Sequence, residues 1–222
     1  MIMKSKRTII SWSGGKDSCL ALNRAKASGF DIIALITAID ETSEVSKSNG
    51  VSKEILCKQA EALGVELISF STNWADYEEK LILNLTQTRE KYQISCCIFG
   101  DIDIARHREF EEKVSSIAGL EAILPLWEEK RDKLVHEVIN SGIKAKISVI
   151  RNDLLPESFL AVDYDDRFLS DISRFNGVDI CGENGEFHTL VYDSPSFRHP
   201  IKLKTSLTGK NGNYSFCNFR AI

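Results

Sequence analysis

The first half of the chain alternates short apolar runs with longer stretches in which apolar residues return every three or four positions. Arg7 to Trp12 (RTIISW) reads as a strand, followed by a glycine turn and a helix from Asp17 to Ser28. Asp31 to Ile39 (DIIALITAI) is a second strand, apolar on both faces. Val51 to Leu63 gives a helix with Leu56, Ala60 and Leu63 on one side, closed by Gly64. Strand Val65–Ser71, helix Trp74–Lys91, strand Ser95–Gly100 and helix Ile104–Ala118 continue the alternation. Doubly apolar strands interleaved with helices predict an open α/β layer, a parallel sheet with helices on both faces. Asp40–Asn49 (DETSEVSKSN) is polar and turn-rich and follows the second strand, so it falls at the ligand-binding carboxyl edge of such a sheet. A surface loop and a substrate lid are both open readings of it.

After Leu120 the pattern loosens. Ile123–Trp127 reads as a fifth strand, Lys130–Ser141 as a helix, Ala145–Arg151 as a strand and Arg167–Asn176 as a helix stopped by Gly177. The tail from Thr189 combines Pro195, Pro200 and a Gly209–Gly212 turn with alternating Tyr214, Phe216 and Phe219, a terminal β-hairpin pattern. The expected division is residues 1–124 as an α/β domain and 125–222 as a smaller α+β domain. The tail aromatics pack on their own domain or on a second subunit. The first is favoured, and a homodimer stays open.

Composition narrows the class. The chain has 222 residues with 43% hydrophobic and 27% charged positions, which excludes disordered and fibrous classes. A net charge of −4 argues against holding nucleic acid by phosphate neutralisation. No apolar run reaches membrane-spanning length. The six cysteines (19, 57, 96, 97, 181, 217) contain no CxxC pair, so the expectation is a reduced, cytoplasmic protein without a disulfide framework or zinc site.

Ser13-Gly14-Gly15-Lys16-Asp17-Ser18 joins the first strand to the first helix. Glycines let backbone approach an anion, and the helix start presents N–H groups and positive dipole to a phosphate. The Ser13 and Ser18 hydroxyls can donate to phosphate oxygens and Lys16 supplies charge. Asp17 suits a Mg²⁺ partner or an N-terminal helix position. The segment does not fit GxxxxGK[ST], so a Walker P-loop is rejected. A plain capped strand–turn–helix junction is the bland counterpart.

In the second half, Cys181-Gly182-Glu183-Asn184-Gly185-Glu186-Phe187-His188-Thr189 gathers carboxylates, an amide and a histidine. Glu183 or Glu186 could bind Mg²⁺ or ammonium, or accept a proton from an amine. An ordinary surface turn and a structural histidine compete with that reading. Asp101, directly after Gly100 at the end of the fourth strand, is a further site candidate, whereas Asp103 reads as a helix cap.

The SGGKDS loop resembles the PP-loop of the N-type ATP pyrophosphatases, which cleave ATP between the α and β phosphates. With Gly100-Asp101-Ile102, Leu124-Pro125-Leu126-Trp127 and GENGEFHTLVYDSPSF at 182–197, the chain resembles the diphthine–ammonia ligase family over nearly its whole length. The resemblance implies a HUP-type nucleotide domain, a smaller acceptor domain and an active site between them. It also implies ATP with Mg²⁺, and transfer of ammonia to the carboxylate of diphthine, a modified histidine of translation elongation factor 2. Ser13, Gly14, Gly15, Lys16, Asp17 and Ser18 would then hold the triphosphate, with Asp17 on the metal. Thr37, Ala38 and Ile39 would frame the adenine. Lys16, Asp17, Asp101, Glu183, Glu186 and His188 form the expected catalytic set.

Archaeal and eukaryotic members carry an EGG-E-x-E style motif where this chain has Glu183-Asn184-Gly185-Glu186-Phe187-His188, a form that looks like the bacterial subgroup. His188 replaces an acid, which puts the acceptor in question, so a corrinoid-type carboxylate stands beside diphthine. Sulfur transfer to tRNA would need a cysteine relay, for which adjacent Cys96 and Cys97 are poorly spaced. A non-enzymatic nucleotide sensor would leave the acid/base cluster without a task.

Overall fold

A computed structural model describes residues 6–222. Strands β1 (Arg7–Ser11), β2 (Asp31–Asp40), β3 (Glu66–Thr72), β4 (Cys96–Ile98) and β5 (Glu121–Ile123) form one parallel sheet in the order β3-β2-β1-β4-β5. Helices α1 (Lys16–Ala27), α2 (Lys53–Leu63), α3 (Tyr77–Tyr92) and α4 (Ala105–Ile117) connect them. The order reverses between β1 and β4, which opens a crevice at their carboxyl ends. Local chemistry sets the helix ends: the Ser52 hydroxyl accepts from Ile55 N at the start of α2, and Gly64 closes it in the left-handed region.

Helix α5 (Arg131–Asn140) leads to β6 (Lys144–Arg151), a 3₁₀ turn at Glu157–Phe159, α6 (Asp166–Ile172), β7 (Phe187–Asp193), β8 (Leu203–Asn211) and β9 (Tyr214–Ala221). These four strands make an antiparallel sheet in the order β7-β6-β9-β8. The parallel sheet is covered on both faces. Residues such as Leu81, Leu85 and Val114 of α3 and α4 pack on one side. On the other, one continuous core runs from Trp12, Leu22 and Leu56 through Leu134 to Ile147, Phe187 and Phe219 of the second sheet. No helix among the described residues is long and apolar enough to cross a membrane.

Three expectations shift. The fifth strand lies at Glu121–Ile123, and Leu124–Trp127 is a turn, with Trp127 N donating to Leu124 O at 3.2 Å. The sequence around His188, turn-like by composition, enters a strand, β7. There the sheet supplies partners that the local polarity does not advertise. Gly209 lies inside β8, with the Phe216 ring against it, and the hairpin turns at Gly212 instead. The tail aromatics Phe216 and Phe219 pack within their own chain, Phe219 in the shared core.

Candidate active site

A cavity of about 490 Å³ opens at the crevice. Its wall includes Ser13, Asp17 and Ser18 from the first strand–helix junction, and Thr37 and Ala38 from the end of β2. Lys47, Ser48 and Asn49 come from the 40–49 segment, Gly100 and Asp101 from the end of β4, His107 and Glu111 from α4, and Glu183 from the turn before β7. Trp74, Tyr77 and Phe110 give it an aromatic side, with the Tyr77 and Phe110 rings stacked at 5.8 Å.

The junction is tight. A Cβ on Gly15 would fall 2.0 Å from Asn49 Nδ2, so only glycine leaves that amide room to reach Ser13 Oγ (3.4 Å) and Thr189 O (3.3 Å). A Cβ on Gly100 would fall 2.8 Å from Ser18 N, so the turn carrying Asp101 presses directly on the first turn of α1. Ser13 and Ser18 hydroxyls lie 3.1 Å apart on the cavity wall.

Lys16 takes a different direction from the one its motif suggested. It is 3% exposed, and its backbone N–H donates to Thr189 Oγ1 at 3.0 Å. Its Nζ donates to Asp17 Oδ2 at 2.8 Å and to Cys181 O at 2.5 Å, behind the wall rather than in the cavity. Burial works to lower its pKa, but Asp17 beside it outweighs this and holds the ammonium above its ordinary range. Gly14 and Gly15 also lie behind the wall. Gln59, fully buried on α2, donates from Nε2 to Gly14 O (3.0 Å) and Val191 O (2.7 Å), binding the junction to β7.

The acidic residues divide. Asp101 and Glu183 share the cavity with Asp17. Burial and the Asp17 charge push the Glu183 carboxyl up to about 8, with Lys16 opposing. Burial, aided by the Asp101 charge, also holds Asp17 raised against Lys16. Glu186 is 1% exposed and outside the cavity: Oε1 accepts from Asp179 N (3.0 Å) and Asn184 Nδ2 (3.1 Å), Oε2 from Asn184 N (3.0 Å). It organises the turn that presents Glu183. His188 lines a neighbouring cavity of about 630 Å³, with Tyr214 and Phe216. Burial pushes its imidazole down to about 4. Ile39 lines neither cavity, while Thr37 and Ala38 do line the first.

No contiguous motif marks Glu111, His107 as a cavity residue, Gln59 or the aromatic wall. His107 and Glu111 are four apart, one helical turn, which is the one local signal that both face the same way. Gln59 carries no such signal, because its partners are remote in sequence. Cys96 and Cys97 are both 0% exposed in β4, so neither offers a thiol to the cavity.

Fold and site together define an open parallel α/β protein with a Ser-Gly-Gly junction at its topological switch point and a carboxylate-lined cleft. The chain belongs to the diphthamide synthase family: its N-terminal domain model matches residues 6–122 and its C-terminal domain model residues 130–220. It is 28% identical to the diphthine–ammonia ligases of Rattus norvegicus and Homo sapiens, over 87% of this chain and 81% of theirs. It is also 28% identical to that of Danio rerio, over 88% and 86%. A solved structure, the U34-tRNA thiolase NcsA from Methanococcus maripaludis with its [4Fe-4S] cluster, aligns over 61% of this chain and 56% of its own. Its identity is 14% and its TM-score 0.37, too low to bear on function.

Proposed function

We propose that the protein is an ATP-dependent ligase that adenylates a carboxylate and amidates it with ammonia, as diphthine–ammonia ligases do. The observation that carries this reading is the joining, in one cavity, of the Ser13–Ser18 junction with Asp101 and Glu183 in a chain of this family. An acceptor carboxylate oxygen attacks the α-phosphorus, the bond to the β-phosphate breaks and pyrophosphate leaves. Ammonia then attacks the acyl carbon, the bond to AMP breaks, and amide, AMP and a proton result.

In this reading the Ser13 and Ser18 hydroxyls meet the phosphates, and Thr37 and Ala38 frame the adenine. Lys16 acts from behind, fixing the Asp17 carboxylate and adding positive potential to the wall where charge builds on the leaving group. Among the described residues no group of three or more His, Cys, Asp or Glu side chains is assembled to hold a metal. Asp17 on the cavity wall would hold, together with phosphate oxygens, a Mg²⁺ entering with the triphosphate, which would neutralise charge on pyrophosphate. Glu183, half-buried and raised beside other carboxylates, would ionise as a small cation such as ammonium settles against it. Residues 1–124 as the nucleotide part and 125–222 as the acceptor part belong to the same proposal.

The test is incubation with α-labelled ATP, ammonium and elongation factor 2 carrying diphthine. AMP and pyrophosphate in step with amide are expected. ADP and orthophosphate would end the proposal, and product formation only with a corrinoid carboxylate would replace the acceptor.

A further inference from the structure

His107 Nδ1 lies 2.8 Å from Asp101 Oδ1, while the imidazole is partly exposed and lines the cavity. Behind Asp101 stands Glu111, 7% exposed on the same cavity wall, its carboxyl beside the Asp101 side chain and its buried Oε2 without a hydrogen-bond partner. Two neighbouring carboxyls in a buried site do not both ionise. Burial, together with the hydrogen bond and charge of Asp101, pushes Glu111 up to about 11. For Asp101, burial is outweighed by the hydrogen bonds from His107 and Glu111, and its carboxyl is held low. The proton therefore resides on Glu111, which donates, and Asp101 is the anion.

An ionised Asp101 accepts from His107, so that Nδ1 donates and Nε2 is left as a lone-pair base. The other titratable groups facing this cluster are Asp17 on α1, Glu183 on the turn before β7, Tyr77 on α3, Cys97 on β4 and Glu112 on α4 itself. Tyr77 and Cys97 are raised chiefly by burial, so both are neutral at pH 7. Lys47 on the cavity wall and Arg106 and Arg108 beside His107 on α4 are the cationic groups of this region.

We propose that His107, positioned by Asp101 with Glu111 packed behind it, is the general base that takes the proton shed by the amine nitrogen as its bond to the acyl carbon forms. This rests on the amidation reading above. The electron pair of Nε2 takes the proton, the acyl–AMP bond breaks, and the imidazolium passes its proton to water at its exposed edge.

The experiment has an arm that needs no acceptor. In ¹⁵N-histidine spectra of the full chain, neutral His107 should be the Nδ1–H tautomer, and Asp101→Asn should erase that preference. Infrared spectra at pH 7 should show a protonated-carboxyl band that disappears in Glu111→Gln. An Nε2–H tautomer, or no such band, overturns the proposal. In the kinetic arm, with diphthine-bearing elongation factor as probe, His107→Gln should lower kcat for amide formation about 100-fold while ATP–pyrophosphate exchange stays within about threefold. Glu111→Ala should lose at least about tenfold, and Glu111→Gln, which keeps a donor toward Asp101, should restore most of it. Exchange falling in step with amide formation overturns the assignment. ADP as product, or an inert acceptor, strikes the amidation reading instead and leaves the spectroscopic arm to judge the relay.

Discussion

Replacing Gln59 with leucine tests whether the glycine junction and the second sheet are held as one body. Gln59 is fully buried; Oε1 accepts from Trp12 Nε1 at 2.8 Å, and Nε2 donates to Gly14 O at 3.0 Å and Val191 O at 2.7 Å. Leucine fills nearly the same space and makes none of these bonds. Gly14 O keeps a partner, Val191 N at 2.9 Å. The Trp12 indole N–H and Val191 O are stranded in residues 1% and 0% exposed. Each bare buried group costs about 1–3 kcal/mol. The leucine returns about 1–2 kcal/mol of apolar burial. The net is a loss of about 3 kcal/mol, a fall of about 6–12 °C in Tm for a chain of this size. Reversible thermal unfolding followed by circular dichroism measures it, with Gln87→Leu on the exposed side of α3 as a control expected within about 0.5 kcal/mol. If the two variants unfold together, the buried amide is not what couples the halves.

Gly15→Ala should raise the KM for ATP about tenfold with little change in overall stability, because the new Cβ must displace Asn49 from the junction; unchanged KM would show that Asn49 moves freely. His188 has its imidazole lowered from 6.5 to about 4, so above pH 6.5 it costs nothing. Between pH 6.5 and 4 the unfolded chain takes up the proton first, and stability falls by up to about 3 kcal/mol. His188→Gln should flatten urea midpoints across that window, and an unaltered acid slope refutes this. Glu183, raised to about 8, acts oppositely: the folded form holds the proton longer, so stability falls as pH rises from 4.5 toward 8, and Glu183→Gln should remove that fall in the same titration. Glu186→Ala should destabilise the chain by about 2–4 kcal/mol through the loss of its turn-organising hydrogen bonds, and Glu186→Gln by less. Equal Tm values for the two would place Glu186 outside the turn's support.

The parallel sheet and its helices are legible in the chain because they arise from local regularities. Period-two and period-3.6 apolar spacing, Ser52 as a cap and Gly64 as a stop act over a few residues. The Ser-Gly-Gly junction is legible for the same reason: its chemistry is contiguous. The fifth strand is misplaced by a few residues because three residues carry too little pattern to set a boundary. Strand β7 was hidden because His188 and Thr189 look like turn residues until β6 pairs with them.

Of the motif residues, Ser13, Asp17, Ser18, Asp101 and Glu183 line the crevice, and the sequence does not tell which way the others point. Lys16 turns inward because its acceptor, Cys181 O, comes from the other half of the chain. Glu186 is drawn into its own turn, and Glu183 is left to face the cleft. Glu111 becomes a buried acid only because folding sets it against Asp101 and under Tyr77. Sequence alone determined the first four strands and four helices of the parallel layer and the contiguous glycine junction, since backbone preferences and turn chemistry are properties of neighbours. Tertiary structure decided burial, protonation and the direction of each charged side chain, since desolvation and electrostatic pairing depend on groups that only the fold brings within a few ångströms.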